Sequence, residues 1–398
     1  MIAIESVANK SLPRRHRAEE VLRKGAKTLS RRVRAPVLTV DLRMYRSSGI
    51  GRYLQTLMPG LAPRLNAERI VVLCSRLDLE REAWTKDPRI ELRQFSARPF
   101  SVAEQLTGMG SVYRQTRLLW TPQYNIPLLY RGKLLVTIHD LCQLAHPEML
   151  ANWVQRMYSR KLLSAVAARA SAILCVSHFT AREVQKYLGV GTDRLTVAHP
   201  SISNLWRHSI SEECENKRAR YLLTVGNIKR HKNIRTLIAA FGLIRNQIPH
   251  DLVIIGQRSG FLNADNELTE TDSMMDGRVR FTGFVSDSNL HRYYSNADAF
   301  VFPSIYEGFG FPVLEAMALG CPVACSRAAS LPEVVGDAAV LFDPLNPKDI
   351  AKILLQILGD ENLRNQIIAR GLRRAEEFRR DTCASETATV INRLTETS

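Results

Sequence analysis

From position 36 onward the chain alternates short apolar runs with longer stretches of mixed polarity. Residues 37–40 form a strand-length apolar run ending at Asp41. A glycine turn follows, Ser48-Gly49-Ile50-Gly51, and then a helical pattern to about Pro63. Further strands are predicted at 69–74, at 134–138 ending in His139-Asp140, at 173–176 ending at Ser177, and at 195–198. A second series starts at 221–225, followed by Gly226 and a helix from about Asn233. It continues through 251–255, 279–282, 299–302, 322–324 and 339–342. Strands alternating with helices predict parallel sheets covered by helices. Two such series predict an α/β chain of two doubly wound, Rossmann-like domains. Ligands of such folds bind at the carboxyl ends of the strands, here in the cleft between the domains. The expected boundaries are 1–35 for an N-terminal extension, 36–205 and 206–375 for the two domains, and 376–398 for a C-terminal helix, with a polar linker over 200–220.

Composition changes this picture at one end. The 398 residues are 45% apolar, enough for two cores, and carry a formal charge of +16. Residues 10–34 hold ten Lys and Arg against Glu19 and Glu20, a net +8 and so half of the whole excess. Leu22, Ala26, Leu29 and Val33 recur there at helical spacing. A basic amphipathic helix lies on an anionic membrane surface, and a solvated tail is the alternative. No apolar run is long enough to span a membrane. The opening Met1-Ile-Ala-Ile-Glu lacks the basic-then-apolar order of a signal peptide. The seven cysteines are scattered, and Cys321 and Cys325 flank a strand-like segment, which is poor metal spacing. Reduced thiols and a cytoplasmic location follow as expectations.

The candidate chemistry lies in 306–320. Glu307 sits in a turn with Gly308 and Gly310, Pro312 opens an apolar helix, and Glu315 stands on its first turns. A strand, a glycine turn and a helix start present backbone N–H groups to an anion. Two carboxylates beside them accept from sugar or ribose hydroxyls. Acids capping a helix start are the structural alternative. Lys232 follows Gly226 by six residues and is placed to neutralise a phosphate. Gly49, Gly51 and Arg52 form a comparable turn in the first series. His139 ends a strand, and Asp140 beside it is expected to orient backbone or the imidazole rather than act as a base. Ser177-His178 is read as a strand end whose neighbours point to opposite faces, so no Ser–His pair is expected. An Asp-x-Asp metal signature is absent, so metal independence is the expectation.

These motifs resemble the retaining family-4 glycosyltransferases of GT-B fold. The likeness is carried by Glu307-Gly-Phe-Gly-Phe-Pro-Val-Leu-Glu315-Ala, Gly320-Cys-Pro-Val, Leu331-Pro-Glu-Val-Val-Gly, Val225-Gly-Asn-Ile-Lys-Arg-His-Lys232-Asn233, Val136-Thr-Ile-His139-Asp140-Leu and Ser48-Gly-Ile-Gly-Arg-Tyr53. It spans roughly 36–375. The resemblance implies that Glu307 holds hydroxyls of a donor sugar and Glu315 the ribose. It implies that Gly308, Phe309 and Gly310 lie along the sugar and diphosphate. It also implies that His139 faces the donor sugar, hydrogen bonding it and stabilising positive charge near the anomeric carbon. Relatives often carry arginine where this chain has Asn227 and His231, and Lys229 and Arg230 are the candidates to compensate. Gly226 completes the expected donor site.

The Asp41-x-Arg43 and Tyr306-Glu-Gly-Phe-Gly-Phe-Pro segments are most similar to bacterial polysaccharide mannosyltransferases, whose donor is GDP-mannose. UDP-glucose, UDP-N-acetylglucosamine and dTDP-rhamnose stay open as donors. The nucleotide-sugar is a substrate, so no cofactor is expected. The implied acceptor is a saccharide or lipid-linked saccharide at the inner face of the plasma membrane. Two other readings compete. The charge could serve nucleic acid, but half of it is in one tail and no groove-reading or stacking motif is present, so no nucleic-acid partner is expected. A relative of the same fold could instead epimerise or hydrolyse a nucleotide-sugar.

Overall fold

A computed structural model of the chain describes residues 38–396, apart from 48, 76, 98, 102–103, 106–112, 114, 151, 207–219, 258–275 and 380. The basic stripe expected in 10–34 and most of the expected linker lie outside the described residues.

Two wholly parallel sheets carry the fold. The first contains β1 (Leu38–Asp41), β2 (Ile70–Cys74), β3 (Ile90–Gln94), β4 (Leu118–Thr121), β5 (Lys133–Ile138), β6 (Ala172–Cys175) and β7 (Leu195–Val197). Their order is β3-β2-β1-β4-β5-β6-β7. The second contains β8 (Tyr221–Val225), β9 (Asp251–Ile255), β10 (Val279–Gly283), β11 (Ala299–Phe302), β12 (Val323–Ser326) and β13 (Val340–Phe342), in the order β10-β9-β8-β11-β12-β13. Both orders run outward in opposite directions from a pair of central strands. The crevice at that reversal, β1/β4 in one sheet and β8/β11 in the other, is where doubly wound folds bind ligands.

Buried parallel strands are apolar on both faces, which is why most were readable as continuous runs. Two were not expected. β4, Leu-Leu-Trp-Thr, is fully buried and is followed by no glycine turn. β3, Ile-Glu-Leu-Arg-Gln, is an edge strand, half exposed and half polar. Its exposed side carries Arg69–Glu91 and Arg93–Glu91 ion pairs instead of apolar contacts.

Helices described in the first unit include α1 (Gly49–Leu61), α2 (Cys142–Ala145), α3 (Trp153–Arg169) and α4 (His178–Leu188). Those described in the second include α5 (Ile234–Ile244), α6 (Asp287–Asn296), α7 (Phe311–Ala318), α8 (Leu331–Val335), α9 (Pro347–Gly359) and α10 (Glu361–Glu377). The last helix, α11 (Thr382–Glu396), returns to the first unit and packs on α1. Its Cys383, Ala384, Ala388, Val390 and Ile391 share a core with Leu38, Val40, Leu54 and Trp120. The chain therefore crosses between units twice. The crossings are tied side by side, with Ile202 N donating to Phe378 O at 2.9 Å and Arg379 Nη2 to Trp206 O at 2.7 Å.

Candidate functional site

β11 ends at Phe302, and the chain turns through 303–310 before α7 begins. Gly310 takes φ +120°, a conformation that side chains strain against, and Pro312 stands in the first turn of α7. The other switch-point loop follows β8. It ends in a short turn, Arg230–Lys232, closed by Asn233 in the left-handed region at φ 56°. Asn233 Nδ2 donates to Pro303 O at 3.1 Å and to Pro344 O at 2.7 Å, and Ile305 N donates to His231 O at 2.9 Å. The two loops are thus laced together before any ligand enters.

That lacing sets Lys232 Nζ 2.5 Å from Glu307 Oε1, with both side chains largely buried. Ser304 Oγ contacts the same carboxylate. Burial alone would push the Glu307 acid up. Lys232 and the other neighbouring donors outweigh it and hold the carboxyl below its ordinary range. Lys229, half-buried on the same loop, is lowered by burial and by Lys232, with Asp140 and Glu307 opposing. Arg230 is exposed. Burial brings His231 down to about 3, and it stays neutral beside Lys232.

Glu315 lies one helical turn into α7 and is 2% exposed. Its Oε1 accepts from Arg52 Nη1 at 2.7 Å, and its Oε2 from the Tyr294 hydroxyl at 3.1 Å. Burial pushes its acid up, and Arg52 and Tyr294 only partly oppose this. Arg52 comes from α1 of the other unit. It also reaches Asp287 at 2.9 Å and lies over the Trp206 ring at 4.9 Å. Gly49 has open space where a Cβ would stand. A Cβ on Gly51 would stand 2.7 Å from Tyr45 O, so the first unit's own backbone accounts for that glycine.

The glycine loop of the second unit is seated on the first. A Cβ on Gly308 would stand 1.6 Å from His139 O, so only glycine permits the approach. Gly308 O accepts from Ser177 Oγ at 2.7 Å and from Thr180 Oγ1 at 3.2 Å. Ser177 and His178 are the N-cap and first residue of α4, not a strand end, and the Ser177 hydroxyl is engaged by Thr180 and Gly308. His139 Nε2 stands 2.9 Å from Pro122 O. A carbonyl only accepts, so Nε2 carries the proton and Nδ1 is the lone-pair side. Burial lowers His139 despite Pro122 and Asp140, leaving it neutral at pH 7. Asp140 Oδ1 accepts from Cys142 N at 3.0 Å, a backbone-orienting bond. The Phe309 ring is buried against Phe311 and Phe378, so its backbone, not its side chain, is what it can offer a ligand.

Glu333, on α8, closes a further contact between units. It accepts from His178 N at 2.7 Å, Phe179 N at 2.9 Å and His199 Nε2 at 2.8 Å. It is therefore a cap supplied to α4 from the other unit. Burial raises its acid, but these donors prevail and the group is lowered. His178, His199 and Glu333 offer ligand atoms within 4.8 Å of one another.

All the sequence-predicted groups lie at the two switch points or on the turns facing them. Glu307 and Lys232 are paired, Lys229 is half-buried on the loop that carries Lys232, and Gly226 lies behind Lys232, whose Cε is 3.5 Å from that glycine's Cβ position. His139 meets the same loop from the other unit. Ser304, Asn233, Tyr294, Asp287, Ser177, Thr180 and Glu333 were not foreseen. Only Glu333 and Asn233 fell inside a resembling motif, and none carries a local signal of its role.

Residues 47–203 match the family described as glycosyltransferase family 4, and residues 208–374 match glycosyl transferases group 1. O-antigen chain mannosyltransferase B of Escherichia coli is 32% identical over 271 residues, covering 65% of this chain and 70% of that protein. The serotype-specific mannosyltransferase WbdA of Escherichia coli is 29% identical over 270 residues, but the match covers only 32% of its length. Among solved structures, sucrose-phosphate synthase from Thermosynechococcus elongatus superposes with a TM-score of 0.71 at 19% identity, over 92% of this chain and 100% of that one. That likeness concerns the fold, two facing Rossmann-like units.

Proposed function

The chain belongs to the family-4 glycosyltransferases of GT-B fold, and on that premise we propose that it transfers mannose from GDP-mannose, with retention, to a saccharide or lipid-linked saccharide in polysaccharide assembly. The observation carrying the reading is the Lys232–Glu307 pair, set at one switch point under a glycine loop that rests against His139 of the facing unit.

The chemistry follows from charge. A nucleotide-sugar brings an anionic diphosphate and a polyol. On entry the diphosphate takes Lys232, with Lys229 beside it, and Glu307 is released to accept from sugar hydroxyls. The start of α7 adds backbone N–H groups to the diphosphate side. Glu315 holds the ribose with whatever lone pairs Arg52 and Tyr294 leave it. As the sugar–phosphate bond breaks, its electron pair stays on the diphosphate, where the lysines stabilise it. The acceptor hydroxyl attacks the same face, and its proton goes to an oxygen of the departing phosphate. Neutral His139 offers an Nδ1 lone pair to a donor hydroxyl and to the positive charge developing at the anomeric carbon. The protein's part is positioning, electrostatics and exclusion of water. With cationic side chains in the cation's place, no metal is required.

A thermal-shift panel of GDP-mannose, UDP-glucose, UDP-N-acetylglucosamine, dTDP-rhamnose and the free nucleotides tests the donor. The expected result is the largest rise with GDP-mannose. A larger rise with another donor reassigns the sugar, and no rise with any of them ends the reading. Release of an epimerised or free sugar without acceptor would favour the isomerising or hydrolysing alternative.

A further inference from the structure

Helix α3 buries Ser159, Leu162, Leu163 and Val166 against the first unit. Its outer face is not that of an ordinary solvated helix. Trp153, Val154 and Met157 are 68%, 55% and 62% exposed. Trp153 and Met157 stand one turn apart on the same stripe. Arg156, Arg160 and Lys161 are exposed beside and after them. From 149 to 182 the chain has five Lys or Arg residues and no Asp or Glu.

An exposed tryptophan beside Arg156, Arg160 and Lys161, with the exposed acid Glu148 near Arg156 at the start of the helix, has the net-positive chemistry of a membrane interface. The indole and thioether enter the headgroup region, and the guanidinium and ammonium groups meet lipid phosphates. No described helix is long and apolar enough to cross a membrane, so contact here is at the surface. We propose that the outer face of α3 docks on an anionic phospholipid surface, with Trp153, Val154 and Met157 inserted and Arg156, Arg160 and Lys161 on the phosphates. This contact is separate from any made by residues 1–34.

The inner face of α3 touches the cleft. It packs on α2, which begins two residues after Asp140 and whose Gln143 Nε2 donates to the Tyr124 hydroxyl at 3.0 Å. The docked face is then roughly one helix diameter, about 10 Å, from the cleft wall. A lipid-linked acceptor could enter without its chain leaving the bilayer, and only this last step rests on the acceptor proposed above.

The chain supplies its own reporter. Trp84, Trp120 and Trp206 are buried, and the fourth tryptophan is Trp153. The experiment mixes the full chain with vesicles of phosphatidylglycerol and phosphatidylcholine whose acyl chains carry bromine. The expected result is a blue shift and quenching of tryptophan emission, both lost in Trp153→Ala. Arg160→Glu/Lys161→Glu should lower the bound fraction at least about tenfold at equal lipid. Circular dichroism checks that each variant folds. The donor-induced thermal shift should be unchanged in both variants, so a failed donor panel and a failed docking face are told apart. Absence of binding would overturn the proposal. So would vesicle-bound protein with unquenched emission, which assigns binding to residues 1–34, or equal binding to pure phosphatidylcholine. Self-association abolished by Trp153→Ala would instead give the face to a second copy.

Discussion

Arg52 of the first unit and Glu315 of the second meet at 2.7 Å, one guanidinium bonded across the cleft to a carboxylate that is 2% exposed. The bond makes a donor-site residue part of the contact between halves. Arg52→Ala leaves the Glu315 carboxyl buried with Tyr294. Its acid should rise further, and the protein should lose on the order of 2 kcal/mol. A fully buried pair would lose about 3–5 kcal/mol, but about a quarter of the Arg52 side chain is in water. Urea denaturation measures the loss. An unchanged midpoint would show that the pair contributes nothing net.

Lys232 and Glu307 separate stability from chemistry. Lys232→Met strands a buried carboxylate and should cost about 3 kcal/mol, whereas Lys232→Met/Glu307→Gln removes both charges and should recover most of it. Both variants, and Glu307→Ala, should lower kcat/KM for transfer at least about tenfold, equivalent to roughly 1.4 kcal/mol of transition-state stabilisation. Near-wild-type turnover in the double variant would remove the pair from the mechanism.

Gly308→Ala places a methyl group where His139 O stands. The obstacle is backbone, so the glycine loop must lift away from the first unit. Overpacking elsewhere costs about 1–3 kcal/mol, and a rigid carbonyl leaves less room to yield. The expected outcome is native circular dichroism with transfer reduced at least about a hundredfold. Faster hydrogen exchange at Ser177 and Thr180 would locate the damage. Activity within a few-fold of wild type would mean that the seating is dispensable.

The Glu333 cap predicts a pH effect. Its folded value is lowered, so its stabilisation is present above the unfolded value near 4.3 and is lost as pH falls through the still lower folded value. The difference in unfolding free energy between wild type and Glu333→Gln should be constant from about pH 7 to 5 and shrink below about pH 4. A difference that grows on acidification would reverse the assignment.

Transfer should survive EDTA, because the cation at the leaving diphosphate is expected to be Lys232 with Lys229 beside it. Loss of activity on chelation, restored by one divalent ion, would contradict that. The His178, His199 and Glu333 group would then be the first place to look.

The fold was legible where strands are buried on both faces, as in Tyr221–Val225 and Ala299–Phe302, because burial forces an unbroken apolar run. It was illegible at β3, where half-exposure admits Glu91 and Arg93, and at β4, which is as short and as buried as Ala299–Phe302 but has no glycine turn after it to mark a strand end. Within the site, Glu307 and Lys232 were legible because each sits in a turn whose glycine announces a switch point. Their pairing with each other was not. Arg52 and Glu315 are 263 positions apart, and Glu333 and His178 155. Such bonds follow from how two sheets face each other, which no local spacing encodes. Ser177 was misread for a local reason: an N-cap serine ends a strand and starts a helix within one residue.

The last helix has a consequence for how the molecule is made. Cys383, Ala384, Ala388 and Ile391 fill the interior begun by Leu38 and Val40, so the half synthesised first is the half completed last. A nascent chain on the ribosome must hold that interior open until residues 383–391 emerge. For that interval the unfinished side is a client for whatever shields apolar surface during translation.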